Sequence, residues 1–306
     1  MSIASLGSGG GYIPGRLSRF AGHVRARDNT TSDSLIGLTV ARFGPVLDSP
    51  FVTGGVLLVA AVILVAARLA LVAHGHISFF VQAGTEFSNP ALVPHGLIVG
   101  TGNGYDGQFY YRLALDPWNL SHTAYGITID SSLRYQRIGY PFLAWVVSFG
   151  QESIVPYALV GINVLALGFT GFVSGKWARS FGRHALWGLL PAGYFGLVWS
   201  LSRDLTEILS IALLIGGIVA WRNAHYVLAG LSFSGSVLCR ETAMLVVVAL
   251  LVTRLFAMFR QSERFGPVDV AWVLPVVAYT SWEVFVRFSY GHFPALETVR
   301  KQQADQ

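Results

Sequence analysis

The stretch FVTGGVLLVAAVILVAARLALVA, residues 51–73, decides the class of fold. It is apolar throughout except for Arg68 near one end, where a long side chain can reach the interface with its charge and leave its stem in hydrocarbon. A bilayer core about 30 Å thick takes about 20 such residues in one helix. Six further apolar blocks follow, at roughly 155–175, 185–201, 205–221, 225–240, 242–258 and 268–288. Together they predict an all-α polytopic membrane protein with about seven transmembrane helices. The segment GYPFLAWVVSFG, residues 139–150, is too short to cross and reads as a re-entrant or interfacial helix.

The composition agrees. Of 306 residues, 53% are hydrophobic and 12% charged, with a mean hydropathy of +0.54. A soluble domain carries about 25% charged residues. The shortfall excludes a disordered chain, a nucleic-acid-binding domain and an ordinary cytosolic enzyme. The single cysteine, Cys239, excludes an internal disulfide framework and a cysteine metal cluster. No metal-ligand spacing is visible and no cofactor is expected. His74, His76 and His95 read as interfacial residues rather than ligands.

Three regions follow. Residues 1–49 form a basic Gly/Ser-rich tail, 50–290 a transmembrane module, and 291–306 a polar C-terminal tail. The glycine run near the start lacks the GKS or GKT of a phosphate loop. The first span reads as an uncleaved signal anchor. Lys and Arg concentrate in the tail and in alternate loops, which the positive-inside rule assigns to the cytosol. The expectation is a multi-pass plasma (inner) membrane protein with a cytoplasmic N-terminus. The long loop at about 74–154 then lies outside.

That orientation brings the densest polar motifs to the outer face: GNGYDGQFYYRLALDPW and LRYQRIGYP in the first loop, SRDLTE at 202–207, and CRET at 239–242. Charges near a membrane interior usually mark a site, so one shared cavity is expected. The alternative is three solvated turns of unrelated helices. If SRDLTE is helical, Arg203, Asp204 and Glu207 share one face; they either hold an acceptor hydroxyl or pair with one another. Arg240 and Glu241 are adjacent and would face different ways. Arg134 and Arg137 are three apart, a spacing that suits gripping a phosphate or lipid headgroups. Asp106 stands in a Gly-rich turn, as either a catalyst or a turn former. FYYRLALDPW reads as an interfacial amphipathic helix ending before Pro117.

YDGQFYYRLAL followed by RIGYPFLAW resembles the WDG..Y..IA…FFPLYP pattern of the GPI mannosyltransferase II-like branch of the GT-C membrane glycosyltransferases. It is also similar to uncharacterised bacterial proteins of this type. Tyr105 stands where the pattern has Trp, and the chain lacks the extra helices or soluble domain of many members. The resemblance implies a GT-C-like module and transfer of a sugar from a polyprenyl-phosphate donor to an extracytoplasmic acceptor. It implies Asp106 as general base. Arg134, Arg137 and Arg240 would hold the phosphate, and Tyr110 and Tyr111 would line the sugar or lipid entrance. Arg112, Arg203, Asp204, Glu207 and Glu241 complete the expected substrate-binding set. The competing class is a non-catalytic membrane protein, either a lipid or solute transporter or an accessory subunit. A transporter more often shows mid-span polar residues and an internal repeat.

Overall fold

The computed structural model describes residues 46–261, 264–291 and 293–294. These belong to one compact unit, Phe43–Gln306. Most of the N-terminal tail and of the C-terminal tail lies outside the described residues.

Helix α1, Pro50–Leu71, begins where the Ser49 hydroxyl accepts from the Phe51 amide at 3.3 Å, with Pro50 in its first turn. The first loop follows. It holds two short strand pairs, β1 (Ala83–Gly84) with β2 (Val99–Gly100) and β3 (Thr123–Ala124) with β4 (Ile127–Thr128). It also holds the helices α2 (Gly107–Leu115), α3 (Leu133–Gln136) and α4 (Gly139–Ser148). Helix α5, Val155–Ser180, packs along α1. A Cβ added at Gly54 would collide with the Gly168 carbonyl and Phe172, and one at Gly171 with the Thr53 carbonyl. Small residues therefore let the two backbones approach closely, as in membrane helix pairs.

A 3-10 segment, Ala185–Gly193, and a short helix α6, Phe195–Leu201, come next. The third expected span is thus broken, with Pro191 inside the first half and extended backbone at Tyr194. Helices α7 (Glu207–Arg222) and α8 (Tyr226–Cys239) form a hairpin. Helices α9 (Met244–Gln261) and α10 (Val270–Tyr290) close the order. The protein is mostly helical, and all seven apolar blocks of the sequence are helical here.

Among the described residues four helical segments are long and apolar enough to cross a membrane: Pro50–Leu71, Val155–Ser180, Glu241–Arg260 and Pro267–Tyr290. Helices α7 and α8, of 16 and 14 residues, fall short of that length. Exposed apolar side chains on α1 and α9, among them Val59, Ile63, Val252 and Phe256, suit a lipid bilayer.

One expectation is overturned. Helix α2 does not lie at an interface: every residue from Gly107 to Leu115 is buried. It is the centre of the larger core, packed against the 3-10 turn Ile77–Val81, α4 and α5. Aromatic side chains with polar tips suit either environment; here the loop folds over them. Helix α4 is two-sided, with Tyr140, Pro141, Ala144 and Ser148 buried and Phe142, Leu143, Val146 and Val147 exposed.

The charged motifs divide between the two ends of the helices. Lys176, Arg179, Arg222, Arg254 and Arg260 fall in the end turns or C-terminal parts of α5, α7 and α9. The three polar motifs gather at the other end.

Candidate functional site

Asp106 stands immediately before α2, but its side chain makes no capping hydrogen bond. The carboxylate reaches instead to two arginines: Arg134 Nη1 lies 2.5 Å from Oδ1, and Arg137 Nη1 lies 3.4 Å from Oδ2. This argues against a mere turn former. The turn is built for the position. Gly104 has φ +66, and a Cβ at Gly107 would collide with the carbonyls of Arg203 and Val81. Gln108, wholly buried, fastens the turn: its Oε1 accepts from Gly84 N and Ser88 Oγ, and its Nε2 donates to the Asn103 carbonyl at 2.8 Å.

The arginine pair on and after α3 aims both forks at this one carboxylate. Arg134 is braced by Asp130 at 3.1 Å, four residues earlier, and lies over the Phe109 ring. Arg137 also grips Glu241 with Nε to Oε2 at 3.0 Å and Nη2 to Oε1 at 2.8 Å. Its Nη1 donates to the Tyr110 hydroxyl at 3.3 Å. Burial pushes that hydroxyl up to about 12, with Arg137 opposing and Asp106 adding to the shift. Tyr110 therefore stays a neutral hydroxyl beside the arginine.

The CRET segment joins the third motif. Arg240 is extended, with φ −149, and Glu241 opens a 3-10 turn, so the neighbouring side chains diverge. Arg240 Nη1 pairs with Glu207 Oε1 at 2.5 Å, and Glu207 Oε2 accepts from Ser200 Oγ at 3.0 Å. The first loop, SRDLTE and CRET are thus linked by ion pairs across 33 and 104 residues of sequence. The paired side chains Asp106, Arg134, Arg137, Glu207, Arg240 and Glu241 keep 19–30% of their surface open. They are partly desolvated yet reachable by a ligand.

The remaining expected site residues separate from this network. SRDLTE is not helical, because Asp204 has φ +50 and breaks the turn. Its three charged residues therefore point three ways. Arg203 stacks on Trp199 at 3.3 Å and faces Tyr105, whose hydroxyl accepts from Trp199 Nε1 at 3.1 Å. Asp204 is wholly buried, and neither carboxyl oxygen has a hydrogen-bond partner among the described residues. Burial raises its carboxyl well above the ordinary carboxylate range, with Arg68 opposing.

Tyr111 turns away from Asp106 into a cavity of about 230 Å³ shared with His76, His95 and Glu152. Arg112 is 1% exposed and hydrogen-bonds the backbone carbonyls of Ser121 and His122. It is an internal brace of the loop: its two terminal nitrogens join the Ser121 and His122 carbonyls, which also accept from the Tyr135 hydroxyl and the Ile129 amide.

Sequence reasoning missed Asp130, Trp199 and Ser200. Asp130 precedes Arg134 by four residues, and the pair Trp199-Ser200 stands one residue before SRDLTE, so local spacing carried a signal for each. It also missed Gln136, whose Nε2 donates to the Tyr279 hydroxyl at 2.7 Å and ties the loop to α10.

No family model, curated protein or solved structure matches this chain.

Proposed function

We propose that the chain is an integral-membrane glycosyltransferase of GT-C type, moving a sugar from a polyprenyl-phosphate donor to the hydroxyl of an extracytoplasmic acceptor. The observation that carries this reading is the convergence of Arg134 and Arg137 on Asp106, within a network that includes Arg240, at one end of membrane-compatible helices. Planar guanidinium forks suit a phosphate. A donor phosphate would compete for the forks that Asp106 occupies and release the carboxylate toward the acceptor.

The chemistry is a displacement at the anomeric carbon. Asp106 takes the acceptor hydroxyl proton as the new C–O bond forms. The bond from the anomeric carbon to the phosphate oxygen breaks, and the lipid phosphate leaves with its negative charge stabilised by Arg137, Arg134 and Arg240. A single displacement inverts the anomeric centre. Tyr110 donates or accepts beside Arg137 as a neutral hydroxyl. Trp199 and Tyr105, an aromatic pair next to the network with Arg203 stacked on Trp199, keep part of their surface open to a sugar ring.

In this reading the N-terminus is cytoplasmic, seven segments cross the plasma membrane and the network faces outward. Helices of 16 and 14 residues rise about 24 and 21 Å, less than a bilayer core of about 30 Å. Crossing by so short a hairpin would set Glu207 and Arg240 in a recess below the outer edge of the hydrocarbon core, into which the donor phosphate would have to descend.

The test is mass spectrometry of lipid-linked sugars and envelope glycans from cells with and without the protein. The proposal predicts that its loss leaves one polyprenyl-linked sugar in excess and one glycan lacking that sugar. Unchanged profiles would favour a transporter or accessory role.

A further inference from the structure

A cavity of about 720 Å³ lies at the end of the helices opposite to Asp106, between the start of α1 and the ends of α5 and α7. Lys176 and Arg179 line it from α5, one turn apart, and Arg222 lines it from the last turn of α7. Pro50, Phe51, Phe172 and Val219 form its apolar walls. The bordering helices α1 and α5 are both long and apolar enough to cross a bilayer, so their end turns fall at headgroup height.

The charges there are only loosely engaged by the protein itself. Among the described residues Lys176 has no ion pair. The nearby acid, Asp48, accepts from the Ala185 amide at 2.7 Å and meets Arg179 only at 3.9 Å. The Arg222 guanidinium lies over the Phe181 ring at 4.4 Å and is exposed. Three cations thus surround a volume large enough for a headgroup. Their positions at helix C-termini are favourable for cations without any ligand, but that does not account for a cavity between them. Phe51, 77% exposed, carries the apolar wall onto the open face of α1.

We infer that this cavity binds the phosphate-bearing headgroup of an anionic phospholipid, with Lys176, Arg179 and Arg222 around the phosphate and an acyl chain along Phe51 and Phe172. Basic pockets between membrane helices recognise such headgroups. The site is separate from the Asp106 network and does not depend on its chemistry.

Native mass spectrometry of the full chain in neutral detergent tests this, with phosphatidylglycerol and phosphatidylcholine of identical acyl chains as probes. Phosphatidylglycerol should be retained in preference. A Lys176→Gln, Arg222→Gln double variant should weaken that retention at least about tenfold, since each surface cation near an anionic headgroup contributes about fivefold. Both side chains are exposed, so the variant should fold, and its unfolding midpoint without lipid should match the parent's. Arg183→Gln, an exposed cation outside the cavity, should leave retention unchanged. Equal retention of the two lipids, an unaffected double variant, or an equal loss in Arg183→Gln would overturn the proposal. So would inorganic phosphate raising the unfolding midpoint while phosphatidylglycerol fails to bind, because the cavity would then be a free-anion site.

Discussion

Arg137 holds Glu241 in a two-point grip, with Nε to Oε2 at 3.0 Å and Nη2 to Oε1 at 2.8 Å, while its remaining nitrogen faces Asp106 and Tyr110. One guanidinium therefore joins the first loop to the segment between α8 and α9. Lysine carries the same charge but only one point of contact.

Arg137→Lys and Arg240→Lys should both insert and accumulate like the parent but lose transfer activity on the order of 10²-fold. A double-mutant cycle of Arg137→Ala and Glu241→Ala, read from unfolding in detergent, should give a coupling of about 0.5–3 kcal/mol. Full activity in both lysine variants would remove the phosphate role from these arginines, and additive stabilities would show that the grip contributes nothing.

Asp204 predicts a pH dependence. Unfolded, its carboxyl ionises near pH 3.9; folded, burial holds the proton to a higher pH. Below the unfolded value both states are protonated and the group costs nothing. Above it the folded state binds the extra proton, so stability falls by about 1.4 kcal/mol per pH unit until the folded carboxyl also ionises. Asp204→Asn removes this loss. Thermal unfolding between pH 4 and pH 8 should show the variant gaining on the parent as pH rises; a constant difference would contradict the burial argument.

Arg112 is expected to matter for folding alone. Arg112→Gln removes two hydrogen bonds and the packing of a 1% exposed side chain, while Tyr135 and Ile129 still serve the two carbonyls, and should destabilise the protein by about 1–3 kcal/mol. The folded fraction should keep its transfer rate. A normal unfolding midpoint with a depressed rate would return Arg112 to the site.

Orientation can be read with single cysteines, because the native Cys239 is wholly buried. A membrane-impermeant maleimide added from outside should label Asn103→Cys and spare Arg183→Cys, both exposed positions at opposite ends. The reverse pattern would put the Asp106 network on the cytosolic side and end the proposed reaction.

Hydropathy was enough to locate every long helix, because an apolar run of about 20 residues has few other uses. The gathering of three motifs at one end followed from chain alternation between the two ends. The pairings themselves were not legible: Arg137 with Glu241 and Arg240 with Glu207 are set by tertiary approach, to which local spacing is blind. Helix α2 misled for a different reason. Tyr110, Tyr111 and Arg112 look interfacial by type, yet residue type does not distinguish a membrane surface from the interior of a folded loop. Asp204 failed similarly, since its helical spacing to Glu207 assumed a backbone that φ +50 forbids. The break in the third expected span had a written signal in Pro191 and Gly193, outweighed by the apolar run around them.

The proposed transfer requires Asp106 to act as a base. Asn has the same size but cannot accept the acceptor's proton, and loss of a positioned base costs about 10²–10⁴-fold in rate. The decisive measurement is mass spectrometry of lipid-linked sugars and envelope glycans in cells whose only copy carries Asp106→Asn, with the protein quantified in the membrane. Parent-like protein levels are expected together with the donor excess and missing glycan of cells lacking the protein. A normal profile from that variant would contradict the base role and make Asp106 only the carboxylate that orders Arg134 and Arg137.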